Sequence, residues 1–209
     1  MGAMSVEGKQ TQDPSLYPRV CAWILVNCNG MLLDHYEVMA RYNHWMNGKL
    51  YGICGELSDE ERKRDMGAFF GSIHRTLSHI LLADYAWMRR FTGDSEAFQF
   101  RDAKGEPIEV RSLDQELYAD FGMLRTVRRK TDGQIQAWVA GLTEADLSAL
   151  LRYETSIGEK HEHPIWWAVS HFFNHQTHHR GQITTLLKQI GINPGVTDLA
   201  AMLRTVSDA

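Results

Sequence analysis

A chain of 209 residues, 44% hydrophobic and 23% charged, is long enough to bury a substantial core as one domain or two small ones. That composition excludes a disordered or collagen-like chain, and a net charge of −4, from 22 Lys and Arg against 26 Asp and Glu, argues against a general nucleic-acid binder. The three cysteines, Cys21, Cys28 and Cys54, form neither a disulfide framework nor a zinc-finger spacing, so reduced thiols in a cytoplasmic protein are expected.

The first 30 residues stand apart from the rest as an N-terminal extension, with a single domain expected over 31–204. Residues 1–19 are polar and rich in Gly, Gln, Ser and Pro, and are expected to be mobile. The apolar run VCAWILV at 20–26 falls far short of the ~20 residues that span a bilayer. It has only Arg19 ahead of it and no convincing cleavage site, so no membrane partner or signal peptide is inferred. The stretch 20–30 reads equally as a strand, as a docked helix or as sequence upstream of the true start.

Helical periodicity begins near Met31. Over 31–57, Tyr36, Met39, Met46, Leu50, Ile53 and Leu57 recur every three or four residues and mark one face. A second helix is predicted over 65–92, through Phe70, Ile73, Leu77, Leu81 and Trp87, ending at Thr92-Gly93. Residues 93–112 read as a long loop, and a third helix follows over 113–141. TEAD at 143–146 looks like a capped short helix, and LLRYETSIGEKHEHP at 150–164 like a small β-hairpin turning at Gly158. Pro164 suits the first turn of a fourth helix running to Ile190, where Gly191 ends it. The fold class is therefore all-α: a four-helix bundle with a long crossover and a small hairpin before its last long helix.

That last helix carries HFFNHQTHHRGQ at 171–182, with four of the chain's ten histidines. Its apolar stripe runs through Phe172, Ile183, Leu186 and Ile190, and the gap is bridged in steps of three and four by His175 and His179. Those two histidines are expected to face inward, and His171 and His178 outward. Two imidazoles at i and i+4 on one face can share a cation; the alternative is a pair of core histidines satisfied by protein partners. A third ligand is available from the second helix, where His79 and His74 compete and spacing does not separate them. Asn43 and Asp84 also interrupt apolar stripes, with Asn47 close to Asn43. Together they suggest either a polar cavity between the helices or a set of interhelical hydrogen bonds.

Absent motifs narrow the chemistry. There is no HExxH, no Glu-x-x-His, no P-loop, no GxGxxG and no GxSxG. The HEH at 161–163 reads as exposed loop residues.

Three segments, YNHWMNGKLY at 42–51, HILLADYAW at 79–87 and NHQTHHRGQITTLLKQIG at 174–191, resemble in order the DinB/YfiT-like family of metal-binding four-helix bundles. The trailing Pro194 and Asp198 extend the resemblance, which covers about Met31 to Arg204 and leaves the extension outside it. It implies a divalent metal held by His79, His175 and His179, and so selects His79 over His74. An imidazole site suits Zn²⁺ or Ni²⁺. Because the family includes thiol S-transferases and a glutathione-dependent isomerase, the resemblance implies a transferase joining a low-molecular-weight thiol, such as glutathione, to an electrophile. A metal-dependent hydrolase and a non-catalytic, stress-associated metal-binding dimer are the alternatives, and a homodimer is expected. Asn43, Asp84 and Gln182 are candidates to orient ligands or substrate, with plain interhelical bonding as the competing role. Arg180 is expected on the solvated helix surface.

Overall fold

The computed structural model describes residues 30–155 and 158–207, so the expectations for the N-terminal extension lie outside the described residues. Four long helices make the frame: α1 (Met31–Gly55), α3 (Ile73–Thr92), α4 (Phe121–Ala140) and α6 (Ile165–Gln189). Between and after them come the short α2 (Asp59–Lys63) and α5 (Glu144–Ser148), the strands β1 (Leu150–Glu154) and β2 (Lys160–Pro164), and a final α7 (Leu199–Ser207).

Each long helix buries the stripe its periodicity marks. Tyr36, Met46 and Leu50 of α1 meet Leu77, Leu81 and Met88 of α3, Leu124 and Ile135 of α4, and Phe172, Ile183 and Leu187 of α6 in one core. Around the bundle α1 packs on α4 and α6, while α3 packs on α6 and α4. The α1–α4 and α3–α6 seams therefore lie on opposite sides. Among the described residues, no helix is long and apolar enough to cross a membrane.

Capping chemistry decides where the helices start. The second long helix begins at Ile73 rather than 65, because Ser72 in extended backbone accepts a hydrogen bond from the Arg75 amide and acts as N-cap. The preceding residues form a tight turn, with an Ala68–Gly71 bridge and Gly71 at φ 76°, a conformation suited to glycine. Likewise the third begins at Phe121 rather than 113, capped by Asp120 through the Met123 amide. Thr143 forms the expected capping box with Asp146, and a second box at Ser58 and Glu61 starts α2, which the apolar pattern does not reveal.

The hairpin is present: β1 and β2 pair antiparallel from Leu150↔Pro164 to Glu154↔Lys160. Pro164 then serves as the N-cap residue of α6. The HEH triplet lies in β2 rather than in a loop, with His161 and Glu162 exposed. The long crossover between α3 and α4 is anchored by Phe98 and Phe100, both buried, with the Phe100 ring stacked 3.8 Å from that of Tyr85.

Candidate metal centre

Three imidazoles converge at the α3–α6 seam. The Nε2 atom of His175 lies 3.2 Å from Nε2 of His79 and 3.1 Å from Nε2 of His179. Nδ1 of His79 lies 2.7 Å from the Leu113 carbonyl, and Nδ1 of His179 lies 2.8 Å from Oε1 of Gln182. Both of these Nδ1 atoms face an acceptor, so each carries the proton, and the Nε2 lone pairs of His79 and His179 are left free. His175 can donate to only one of them. The cluster is short of protons at its centre, and a cation there would supply what is missing.

The spacing also suits an ion. Metal–nitrogen bonds of ~2.0–2.1 Å at tetrahedral angles separate ligand nitrogens by about 3.3 Å. The three side chains offer ligand atoms that all lie within 4.8 Å of one another, so they can hold a metal ion. The Phe70 ring stacks on His79 at 3.9 Å between centroids and covers one side of the cluster. Burial holds His79 and His179 below the ordinary histidine range. For His175, burial and then the facing rings of His179 and His79 push the value down to about 3. The rings are therefore neutral at neutral pH, the state a metal ligand needs.

His74, the competitor on α3, stands elsewhere: fully buried, with Nε2 2.6 Å from the Tyr118 carbonyl. His171 and His178 are exposed, as the stripe predicts. Gln182 both supports His179 and approaches Nε2 of His178 at 3.2 Å.

Asn43 and Asp84 belong to a buried polar network between the helices. Asp84 accepts from Gln176 at 2.7 Å and pairs with Arg128. Arg128 also pairs with Asp132 at 2.8 Å, and Asp132 accepts from Asn47 at 2.8 Å and Asn43 at 3.3 Å. Arg180 donates to Asn43 and sits 5.3 Å from the centroid of the Tyr42 ring. Its expected place on the solvated surface is wrong: Arg180 is only 3% exposed, because α6 packs on both α3 and α1 and so buries a wide arc. Burial lowers its pKa to about 10, which leaves it charged. Two carboxylates and two guanidinium groups thus offset one another in the core.

Sequence reasoning missed Arg128, Asp132 and Gln176. A signal existed: Arg128 and Asp132 follow Leu124 and precede Ile135 in steps of four, four and three, and Gln176 follows Phe172 by four. A charge on an apolar stripe points to a partner, and here two such charges share one helix face.

Comparison with known proteins agrees with this architecture. The sequence model described as the DinB family matches residues 31–206. "Protein DinB" of Bacillus subtilis (strain 168) is 28% identical over 173 residues, which cover 78% of this chain and 90% of that protein. Among solved structures, a DinB-like protein from Bacillus cereus ATCC 10987 superposes with a TM-score of 0.53 at 21% identity, over 79% of this chain and 95% of that one. YfiT from Bacillus subtilis, described as a probable metal-dependent hydrolase with an unusual four-helix bundle topology, gives 0.53 at 14% identity, over 77% and 90%. At these identities the superpositions establish the fold.

Proposed function

The chain belongs to the DinB family, and from that premise we propose that His79, His175 and His179 bind one divalent metal ion, Zn²⁺ or Ni²⁺, and serve a transferase that joins a low-molecular-weight thiol to an electrophile. The observation that carries this reading is the convergence of the imidazoles with two Nδ1 atoms already committed to Leu113 and Gln182. A divalent ion held there by the three imidazoles would supply Lewis acidity that lowers the pKa of a thiol or of water.

The chain's own residues around the cluster bear on the choice between thiol and water. Hydrolysis gains from a free carboxylate to take a proton; Asp84 and Asp132 are held by Arg128 in the core, whereas the exposed Asp114 interacts electrostatically with His79. Around the cluster, Met66, Phe69, His178 and Gln182 line an open groove, with Phe69 86% exposed as an apolar wall. On the other side, Arg75 and Arg111 line a second opening beside Leu113, where Arg111 pairs with Glu109 at 3.0 Å and Arg75 lies 3.8 Å from Asp114. A second reading, metal-dependent hydrolysis, takes its support from the description of YfiT.

Metal analysis of the purified protein and of His79→Ala, His175→Ala and His179→Ala tests the site, and retention of stoichiometric metal by all three variants rejects it. A screen of thiols with electrophiles then tests the reaction. Turnover that requires the thiol supports transfer, whereas turnover without it moves the assignment to hydrolysis.

A further inference from the structure

On the opposite side of the bundle a pocket of about 190 Å³ opens at the α1–α4 seam. Asn47, Gly48 and Tyr51 of α1 face Arg125, Arg128 and Arg129 of α4 across it. Each trio lies on one helical face by its three- and four-residue spacing. The one carboxylate in the lining, Asp132, is engaged by Arg128, Asn47 and Asn43. Arg125 and Arg129 are exposed, and neither forms an ion pair or a side-chain hydrogen bond among the described residues.

Two buried groups in the lining lack partners as well. Tyr51 is 3% exposed, its ring stacked 5.7 Å from that of Phe121, and its hydroxyl has no hydrogen-bond partner among the described residues. The same holds for Nε of Arg128. Both can donate, and donors left unpaired in a protein interior carry a desolvation cost that an acceptor removes. Guanidinium groups outnumber carboxylates three to one in the lining, so the missing partner is an anion rather than a cation. Gly48 leaves room for it, since a Cβ built there meets nothing within 4 Å.

We propose that this pocket is a second binding site, for a small dianionic oxyanion such as a phosphate group or a short dicarboxylate, held by the guanidinium groups of Arg125, Arg128 and Arg129 and by the Tyr51 hydroxyl. Planar guanidinium forks match the geometry of both anions. None of these residues belongs to the three-imidazole cluster, so the site stands or falls apart from the metal.

Calorimetric titration of the full chain with inorganic phosphate, and separately with succinate, at ionic strength held constant with sodium chloride, tests the proposal. Saturable binding of at least one anion is expected, and which one binds distinguishes a phosphoryl from a dicarboxylate ligand. Arg125→Gln with Arg129→Gln, both exposed and so safe for folding, weakens binding about tenfold or more, as the loss of charge-assisted hydrogen bonds implies. Gly48→Leu fills the opening and abolishes binding. Tyr51→Phe weakens binding while thermal unfolding in anion-free buffer stays at or above wild type, an outcome that a purely structural hydroxyl does not give. Three outcomes overturn the proposal: no saturable binding of either anion, binding unchanged in the double arginine variant, or binding lost in His175→Ala and so seated at the metal.

Discussion

Gln176 donates a hydrogen bond to Asp84 at 2.7 Å from the position immediately after His175. The helix that supplies two imidazoles is thus pinned to the helix that supplies the third, from within the core. Asp84 is held in turn by Arg128, so the placement of the cluster rests on a buried ion pair. Replacing Asp84 by Ala leaves Arg128 with one carboxylate in place of two. Removing one partner of a buried pair costs about 3–5 kcal/mol, and urea unfolding of Asp84→Ala should show a loss of that order.

Metal removal gives the second expectation. An ion bound only by the folded state stabilises it by mass action, about 2.7 kcal/mol at a hundredfold excess over the dissociation constant. Treatment with a chelator should therefore lower the thermal midpoint of the wild-type protein. In His79→Ala, His175→Ala and His179→Ala the chelator should leave the midpoint unchanged, as followed by differential scanning fluorimetry.

Gln182 supports a proposed ligand without being one, since its Oε1 accepts from Nδ1 of His179. Loss of such support characteristically weakens metal affinity by roughly 10–100-fold. Gln182→Ala should therefore fold normally and bind metal more weakly by that factor in a competition titration with a chromophoric chelator. Unchanged affinity would show that His179 is oriented by packing alone.

His74 gives stability a pH dependence that is independent of metal. Its Nε2 donates to the Tyr118 carbonyl, and its buried Nδ1 has no partner among the described residues, so a second proton would be both desolvated and unpaired. Burial accordingly holds its pKa below 6.5, although the Tyr118 carbonyl opposes the shift. The unfolded chain takes up a proton at this position near pH 6.5 while the folded chain does not. The contribution of His74 is therefore fully present above that pH and falls away as pH drops towards the folded value. Urea midpoints of metal-free protein should decline between pH 7 and pH 5, and His74→Phe should make that decline shallower.

Much of this architecture is legible in the sequence, because apolar spacing reports helices and glycine, proline and capping residues report their ends. The stripes through Leu50, Leu81 and Ile183 are buried as the periodicity requires. What spacing misjudged were the helix starts at Ile73 and Phe121, where apolar residues in the preceding loop imitate the helical rhythm and only the caps at Ser72 and Asp120 tell the difference. The inward pair on α6 follows from steps of three and four, whereas spacing cannot separate His74 from His79, both buried on α3; the family resemblance selects His79, and its Nε2 lies 3.2 Å from that of His175. Arg180 was misplaced because long cationic side chains are usually exposed, and nothing local to α6 announces that a second helix covers it.

The support under His79 comes from a main-chain oxygen, that of Leu113, in the crossover that joins α3 to α4. No substitution of the Leu113 side chain can delete that acceptor, so alanine scanning would pass over it. Lengthening or shortening the crossover could move it, and the tautomer of His79 thus depends on the route of this one connection.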